Sequence, residues 1–331
     1  MKKIQARRMG NTETKHEFEH IPNTDSLKAK PDFEKRYRSL LGDEYDSFME
    51  CSLSFLRKSI RVNTLKTTPE NIIQKLSPKW KLTPVPWCKE GFWLKSERRD
   101  VGNLTEHALG YIYVQEAASM IPPLVLDVQE GDIVLDLCAA PGSKSTQLAQ
   151  YLNNTGALLC NDYLGDRLKA LGMNLQRCGA LNTIITQTKG HRFKELNFEF
   201  DKILVDAPCS GTGTIRKSLR TLRMWNPNMV KRLSGIQREL LKTAYGLLRN
   251  GGSLVYSTCT LEPEEDEGII SDFLDKNEDA KLAEIEFNGK RSKPVEEFDG
   301  RIYNAEVRKC LRLWPQDNDT EGFFVAKIIR D

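Results

Sequence analysis

Ile133-Val134-Leu135-Asp136-Leu137-Cys138-Ala139-Ala140-Pro141-Gly142-Ser143-Lys144 passes from a β-like run at 133–137, through a turn of small residues, into a helical pattern at 143–152. A short, mostly apolar run of this kind suits a strand buried on both faces. The same unit recurs downstream. β-like runs at 157–161, 182–186, 202–206 and 253–258 alternate with helical stretches at 165–177 and 227–249. Short buried strands alternating with helices predict an α/β fold, a doubly wound parallel sheet covered on both faces. A further strand is expected at 323–329, and the charged stretch 275–300 reads as a loop excursion.

Upstream the rhythm differs. Phe33, Tyr37, Leu40, Leu41, Tyr45 and Phe48 recur every three to four residues and predict one amphipathic helix. A β-like run at 60–63, a helix opened by Thr68-Pro69-Glu70, and a segment carrying Trp80, Trp87 and Trp93 broken by prolines follow. The expected organisation is a frayed tail at 1–30, a small α+β domain at 31–127, and the sheet domain at 128–331.

With 39% apolar and 29% charged residues the chain can build a real core, which excludes global disorder. No segment reaches the ~18 apolar residues of a membrane helix, and the Lys-rich start has no signal-peptide core, so a cytoplasmic protein with no membrane partner is expected. The net charge of +3, from 49 basic and 46 acidic residues, permits only a local basic face. Arg61, Lys66, Arg216, Lys217, Arg220 and Arg223 are the residues expected to form one. Eight cysteines without a C-x-x-C pair, alongside four histidines, give no zinc-ligand spacing, so no metal is expected. Most of these thiols should be small buried hydrophobes.

In open α/β sheets ligands bind beyond the carboxyl ends of strands. The first such end, Asp136 to Lys144, lets a ligand approach the backbone and offers the N–H groups of the next helix. It lacks the glycine and lysine spacing of a nucleoside-triphosphate loop and is not G-x-G-x-x-G. The second strand ends in Asn161-Asp162, where an acid would meet ribose hydroxyls or cap the next helix. Together these suggest a ligand carrying adenosine without a pyrophosphate. The fourth strand runs into Asp206-Ala207-Pro208-Cys209-Ser210-Gly211-Thr212-Gly213 and the fifth into Tyr256-Ser257-Thr258-Cys259-Thr260. Two adjacent strand ends thus each present a cysteine. Methylating a pyrimidine at C5 needs a soft nucleophile at C6, and a thiolate with an acid nearby would serve.

These three stretches, with Leu261-Glu262-Pro263-Glu264-Glu265 continuing the last, resemble the RsmB/Sun-type (NSUN-like) RNA cytosine-5 methyltransferases. Arg61-Val62-Asn63-Thr64-Leu65-Lys66 and Tyr113-Val114-Gln115-Glu116-Ala117-Ala118-Ser119 resemble the family's N-terminal arm, and Gly322-Phe323-Phe324 its closing strand, so the likeness spans about 35–330. It implies a Rossmann-like class I methyltransferase sheet preceded by a small RNA-binding domain. It implies S-adenosyl-L-methionine as cofactor and RNA as substrate; for so compact a chain tRNA is favoured over rRNA, and a monomer is expected. Cys259 would correspond to the nucleophile, Cys209 to the cysteine that assists adduct breakdown, and Asp206 would bond the cytosine edge. Cys138, Ala139, Ala140, Pro141, Gly142, Ser143 and Lys144 would wrap the methionine end of the cofactor, with Asp162 on the ribose and Arg167 supporting that acid or the fold. Lys144 would also order the loop through an acidic neighbour. One departure stands out. Where the family carries an acid for the adenine amino group, this chain reads Gln187-Thr188-Lys189-Gly190-His191. A DNA-directed enzyme and an RNA-binding assembly factor that keeps the cofactor pocket are the competing readings.

Overall fold

The structure is a computed structural model that describes residues 18–24, 27–97 and 100–331. Its first third comprises α1 (Pro31–Leu41), α2 (Tyr45–Ser52), β1 (Lys58–Val62), α3 (Pro69–Leu76), β2 (Lys81–Val85), β3 (Cys88–Lys95), α4 (Thr105–Ala108), β4 (Ile112–Val114) and α5 (Ile121–Leu126). The alternating part begins with β5 (Ile133–Asp136), α6 (Ser143–Tyr151), β6 (Ala157–Asn161), α7 (Gly165–Cys178), β7 (Thr183–Thr186) and β8 (Phe200–Asp206). It continues through α8 (Arg220–Met224), α9 (Pro227–Gly246), β9 (Leu248–Thr258), α10 (Glu267–Leu274) and β10 (Ala280–Ala283). The hairpin β11 (Glu297–Phe298) and β12 (Arg301–Ile302), then β13 (Leu311–Leu313), α11 (Pro315–Asn318) and β14 (Phe323–Arg330) complete it.

The large sheet has the order β10-β14-β9-β8-β5-β6-β7, with β13 added alongside β14. Neighbours from β9 to β7 run parallel, whereas β14 is antiparallel to β9 and to β10. Alternation along each strand divides the apolar residues between two cores. Leu135, Ile203, Val205, Leu254 and Tyr256 face α9 and α10. Val134, Leu158, Leu204 and Val255 face α5, α6 and α7. This is the expected doubly wound α/β architecture.

The small antiparallel sheet has the order β2-β3-β1-β4. Ile60 and Val62 pack with Ile72 and Leu76 of α3, whose N-terminus is capped by Thr68 Oγ1 accepting from Asn71 N–H at 3.3 Å. Arg61 points to the opposite face, toward α6, and Ser59 Oγ donates to Gln115 O at 2.6 Å.

Four expectations need correction. The single N-terminal helix is two, because Gly42 turns the chain at φ 54°, a left-handed conformation that breaks the helical path. Neither half packs on the small sheet: Phe33, Tyr37 and Phe48 bury against Trp225, Leu261 and Trp314 of the sheet domain. α5, assigned to the small domain, lies on the large sheet. The tail is shorter than 1–30. Ile21 N–H donates to Leu53 O at 3.0 Å and Lys30 Nζ to Trp225 O at 2.7 Å, and 1–17 fall outside the described residues. Within the expected loop at 275–300, β10 pairs with β14 because Ala280 and Leu282 bury one face.

Candidate active site

The strand order reverses between β5 and β8, so the crevice for a ligand opens at their carboxyl ends. Ala139 N–H donates to Asn161 O at 2.7 Å, and Asn161 Nδ2 donates to Leu137 O and Thr188 O at 3.0 Å each. One asparagine thereby ties together the ends of β5, β6 and β7. At Gly142 φ is 105° and a Cβ would lie 3.0 Å from Leu171 Cδ1, so the turn requires glycine. No side chain caps α6, whose first N–H groups face the loop. Asp136 accepts from Ser145 Oγ at 2.7 Å through one carboxylate oxygen, while the other is buried without a partner. Burial raises its pKa to about 7, with the Ser145 bond opposing and the charge of Asp206 adding.

Asp162 is buried; it accepts from Leu164 N–H at 3.1 Å and pairs with Arg167 at 3.2 Å. Arg167 also donates to Ala140 O and so bridges the acid and the small-residue turn. Tyr163 and Leu164 beside it are 53% and 42% exposed, leaving apolar surface next to the crevice. Lys189 is exposed. An uncapped helix start, an unpartnered carboxylate oxygen and adjacent apolar surface fit a ligand with a carboxylate, an ammonium and an aromatic base.

Lys144 leaves the small-residue loop altogether: its Nζ sits 2.8 Å from Asp206 Oδ2 and 3.0 Å from Ser119 Oγ. Burial works to lower its pKa, but the charge of Asp206 and the hydrogen bond to it outweigh that and leave it raised, with Cys259 contributing in the same direction. Asp206 Oδ1 accepts from Ser257 Oγ at 2.8 Å. The expectation that Lys144 has an acidic neighbour holds, and the neighbour is the acid between the two cysteine strands. Ser257 was readable in principle, since it is the register partner of Asp206 in the β8–β9 ladder.

Cys209 Sγ and Cys259 Sγ lie 3.4 Å apart. The hydrogen bond to Cys259, then burial, push the Cys209 thiol well up, so it stays protonated. Of the eight thiols, Cys138, Cys209 and Cys259 are partly exposed and the other five buried, and burial raises Cys138 well above the usual thiol range. Hydroxyls lock the two cysteine loops together: Thr260 Oγ1 lies 2.6 Å from Ser210 Oγ and 2.9 Å from Thr212 Oγ1. Beneath them the fully buried Glu265 accepts from Ser210 N–H at 3.0 Å and from Gln237 Nε2 at 2.8 Å. Burial raises its carboxyl to about 7, against the pull of those hydrogen bonds. Arg312, also without exposure, pairs with Asp266 at 3.1 Å and donates to Leu261 O at 3.2 Å. Glu265 lay in a stretch read for its likeness alone, and a buried acid leaves no local pattern that tells it from an exposed one.

The expected basic face is not the one formed. Arg61 is fully buried, donating to Thr146 Oγ1 at 3.0 Å and Ser143 O at 2.9 Å, which fastens the small sheet to α6. Arg216 is buried against Asp319 at 2.7 Å, and Lys66 Nζ is bonded to Arg177 O at 2.8 Å and Leu109 O at 3.1 Å. Lys217, Arg220 and Arg223 are exposed. Among the described residues no three His, Cys, Asp or Glu side chains are grouped to hold a metal, and no helix is long and apolar enough to cross a membrane.

Residues 123–329 match the family model described as 16S rRNA methyltransferase RsmB/F, and residues 30–117 match that of the N-terminal domain of 16S rRNA methyltransferase RsmF. A tRNA (cytosine(49)-C(5))-methyltransferase of Pyrococcus abyssi is 46% identical over 295 residues, 89% of this chain and 94% of that protein. The ribosomal RNA small subunit methyltransferase F of Shewanella oneidensis is 42% identical over 86% of this chain, which spans 60% of that relative's length. Among solved structures, a methyltransferase homolog protein from Pyrococcus horikoshii superposes with a TM-score of 0.81 at 38% identity, covering 90% of this chain and 94% of its own. NSun6 from Pyrococcus horikoshii, solved with SFG, shares the fold at a TM-score of 0.80 and 24% identity over 91% of this chain and 98% of its own.

Proposed function

The chain belongs to the RsmB/F methyltransferase family, and on that premise we propose that this RNA cytosine-C5 methyltransferase modifies a cytosine of tRNA through a covalent adduct between Cys259 and C6. One observation carries the reading: two thiols 3.4 Å apart at the ends of adjacent strands, beside an acid that is itself paired with a buried lysine. The tRNA assignment is supported by the Pyrococcus abyssi relative, which has the higher identity of the two and matches over nearly its whole length.

The residues of the crevice fit S-adenosyl-L-methionine. Ala139 to Ser143 and the start of α6 would take its methionine carboxylate, Asp136 its ammonium, Asp162 its ribose, and Tyr163 with Leu164 the adenine face. Bound there, the cofactor supplies an electrophilic methyl carbon. The chain's own residues prepare the base. Cytosine must be turned out of any stack to reach the pocket. Cys259, its S–H proton passing to water, forms a bond to C6, and the electron pair displaced from C5=C6 is drawn toward N3, where Asp206, held in place by Lys144, shares a proton. C5 would then bond the methyl carbon as the methyl–sulfur bond breaks, its electron pair leaving with the sulfur. In the second half the C5 proton passes to water, its electron pair restores C5=C6, and Cys259 leaves as thiolate. Cys209, still a thiol, donates its S–H to that departing sulfur.

Cys259→Ala should abolish both methylation and any covalent complex. Cys209→Ala should accumulate a protein–RNA adduct that survives denaturing gel electrophoresis, and sequencing the trapped RNA should return tRNA. An adduct in Cys259→Ala and none in Cys209→Ala would reverse the two roles, and small-subunit rRNA in the adduct would replace tRNA as substrate.

A further inference from the structure

A cleft of about 780 Å³ opens between the small sheet and the segment that follows the Cys209 loop. Six basic side chains line it against two acidic ones, Glu19 and Asp319. Asp319 is already held between Arg57 and Arg216, at 2.7 Å from each. The sheet wall is the unusual part. Lys81 and Lys95 are register partners directly opposite each other across β2 and β3, and Lys58 begins the next strand, opposite Leu94. All three are exposed, and among the described residues none has an acidic partner. Like charges facing one another across a strand pair destabilise it. The small sheet carries that strain on the one edge that lines the cleft.

The floor adds a second feature. The Arg57 guanidinium stacks on the Trp93 ring at 3.8 Å to the centroid, and is fixed there by Asn318 O at 2.6 Å as well as by Asp319. A guanidinium held over an indole is a ready platform for an unstacked base. The opposite wall leads to the chemistry. Arg216 and Lys217 lie just beyond Gly213, whose N–H donates to Cys259 O at 3.0 Å and whose carbonyl accepts from Gly322 N–H at 2.9 Å. Paired lysines, a stacking floor and a wall shared with the nucleophile's loop describe a surface for a single strand of nucleic acid.

We propose that this cleft receives the single-stranded RNA beside the target cytosine, its phosphates on Lys81 and Lys95 and one base against the Arg57–Trp93 pair. The proposal rests on the RNA methyltransferase reading above and names the surface that holds the substrate. It also replaces Arg61 and Arg216 of the expected basic face, whose charges are spent inside the protein.

The test compares the full chain with Lys81→Glu/Lys95→Glu and with the milder Lys81→Gln/Lys95→Gln, using an unmodified tRNA transcript. Fluorescence anisotropy should show RNA binding weakened about tenfold or more in the Glu pair, and the slope of log affinity against log salt reduced by about 2, one for each lost phosphate contact. KM for RNA should rise while kcat at saturating RNA and cofactor affinity stay as in the wild type. Thermal melting should hold or improve in the Gln pair, where the facing like charges are removed, whereas the Glu pair keeps two like charges on the same register partners. Unchanged RNA affinity and an unchanged salt slope in both variants would overturn the proposal and leave the lysines to an acidic protein partner. Wild-type chain that binds RNA but methylates none would instead overturn the functional reading, leaving the cleft as a binding surface.

Discussion

At the ends of β8 and β9 the acids Glu262, Glu265, Asp266 and Glu267 are completely buried, with Glu265 bonded to the Cys209 loop and Asp266 to the last residue of β9, whereas beyond the ends of β6 and β7 the chain exposes Tyr163, Leu164 and Lys189. Both ends open on one crevice. The difference follows the demands on each. A bond between sulfur and carbon forms only if the thiols, the acid and the base are placed to within a fraction of an ångström, and buried networks with no water to compete supply that placement. A cofactor's adenine need only be covered, and exposed apolar side chains suffice for that.

The sharpest way to break this contrast is Lys144→Ala. If the β8–β9 end is where precision matters, losing the ammonium beside Asp206 should lower kcat by roughly 10²–10³-fold, the range for removing one preorganised charge-stabilising donor. Cofactor affinity, read by calorimetry, should stay near the wild-type value. A matched loss in both would mean that Lys144 serves the cofactor loop and that the two ends are not separable.

A pH experiment sharpens the same contrast at smaller scale. Burial raises Glu265 from its ordinary 4.5 to about 7, so between those values the native state holds a proton that the unfolded chain has released. That stabilisation is fully present below about 4.5 and is lost as pH rises through about 7. Glu265→Gln should therefore flatten the fall in urea stability across this window, though Asp136, also raised to about 7, keeps part of it. Identical slopes in the two proteins would place the Glu265 carboxylate in a wetter setting than the buried network describes.

The smallest effect belongs to the open end. Lys189 can donate but cannot accept from an adenine amino group, so Lys189→Asp should tighten cofactor binding by about 1 kcal/mol, a few-fold in Kd. Weaker binding in the calorimeter would show that the lysine assists the cofactor as it stands.

The strands, the three loops of the crevice and both cysteines could be read from sequence because each signal is local: an apolar run, a small-residue turn, a residue just beyond a strand. What could not be read depends on distant partners. Arg61 lies between Ile60 and Val62, so alternation predicts that it faces away from their core, yet nothing nearby reveals that α6 covers that other face. Lys144 follows the small-residue turn by two positions and looked like part of it. Its true partner, Asp206, is 62 residues further on and becomes adjacent only because β5 and β8 pair. The stripe from Phe33 to Phe48 announced an amphipathic helix, but a stripe does not state which surface it seeks, and here that surface is built from residues near 225, 261 and 314.

The docking of α1 has a consequence for how the enzyme comes into being. Tyr37 donates to Glu262, 225 positions further along the chain, and Arg36 joins the same carboxylate at 2.7 Å. Contacts of such long sequence separation close late in folding and slow it. A chain emerging from the ribosome therefore presents α1 long before Glu262 exists, and the support for the loop that follows Cys259 forms only when α1 meets it. The thiol pair is thereby among the last parts of the molecule to be assembled, so the covalent trapping of RNA proposed for it would arise in the finished protein and be absent from the nascent chain.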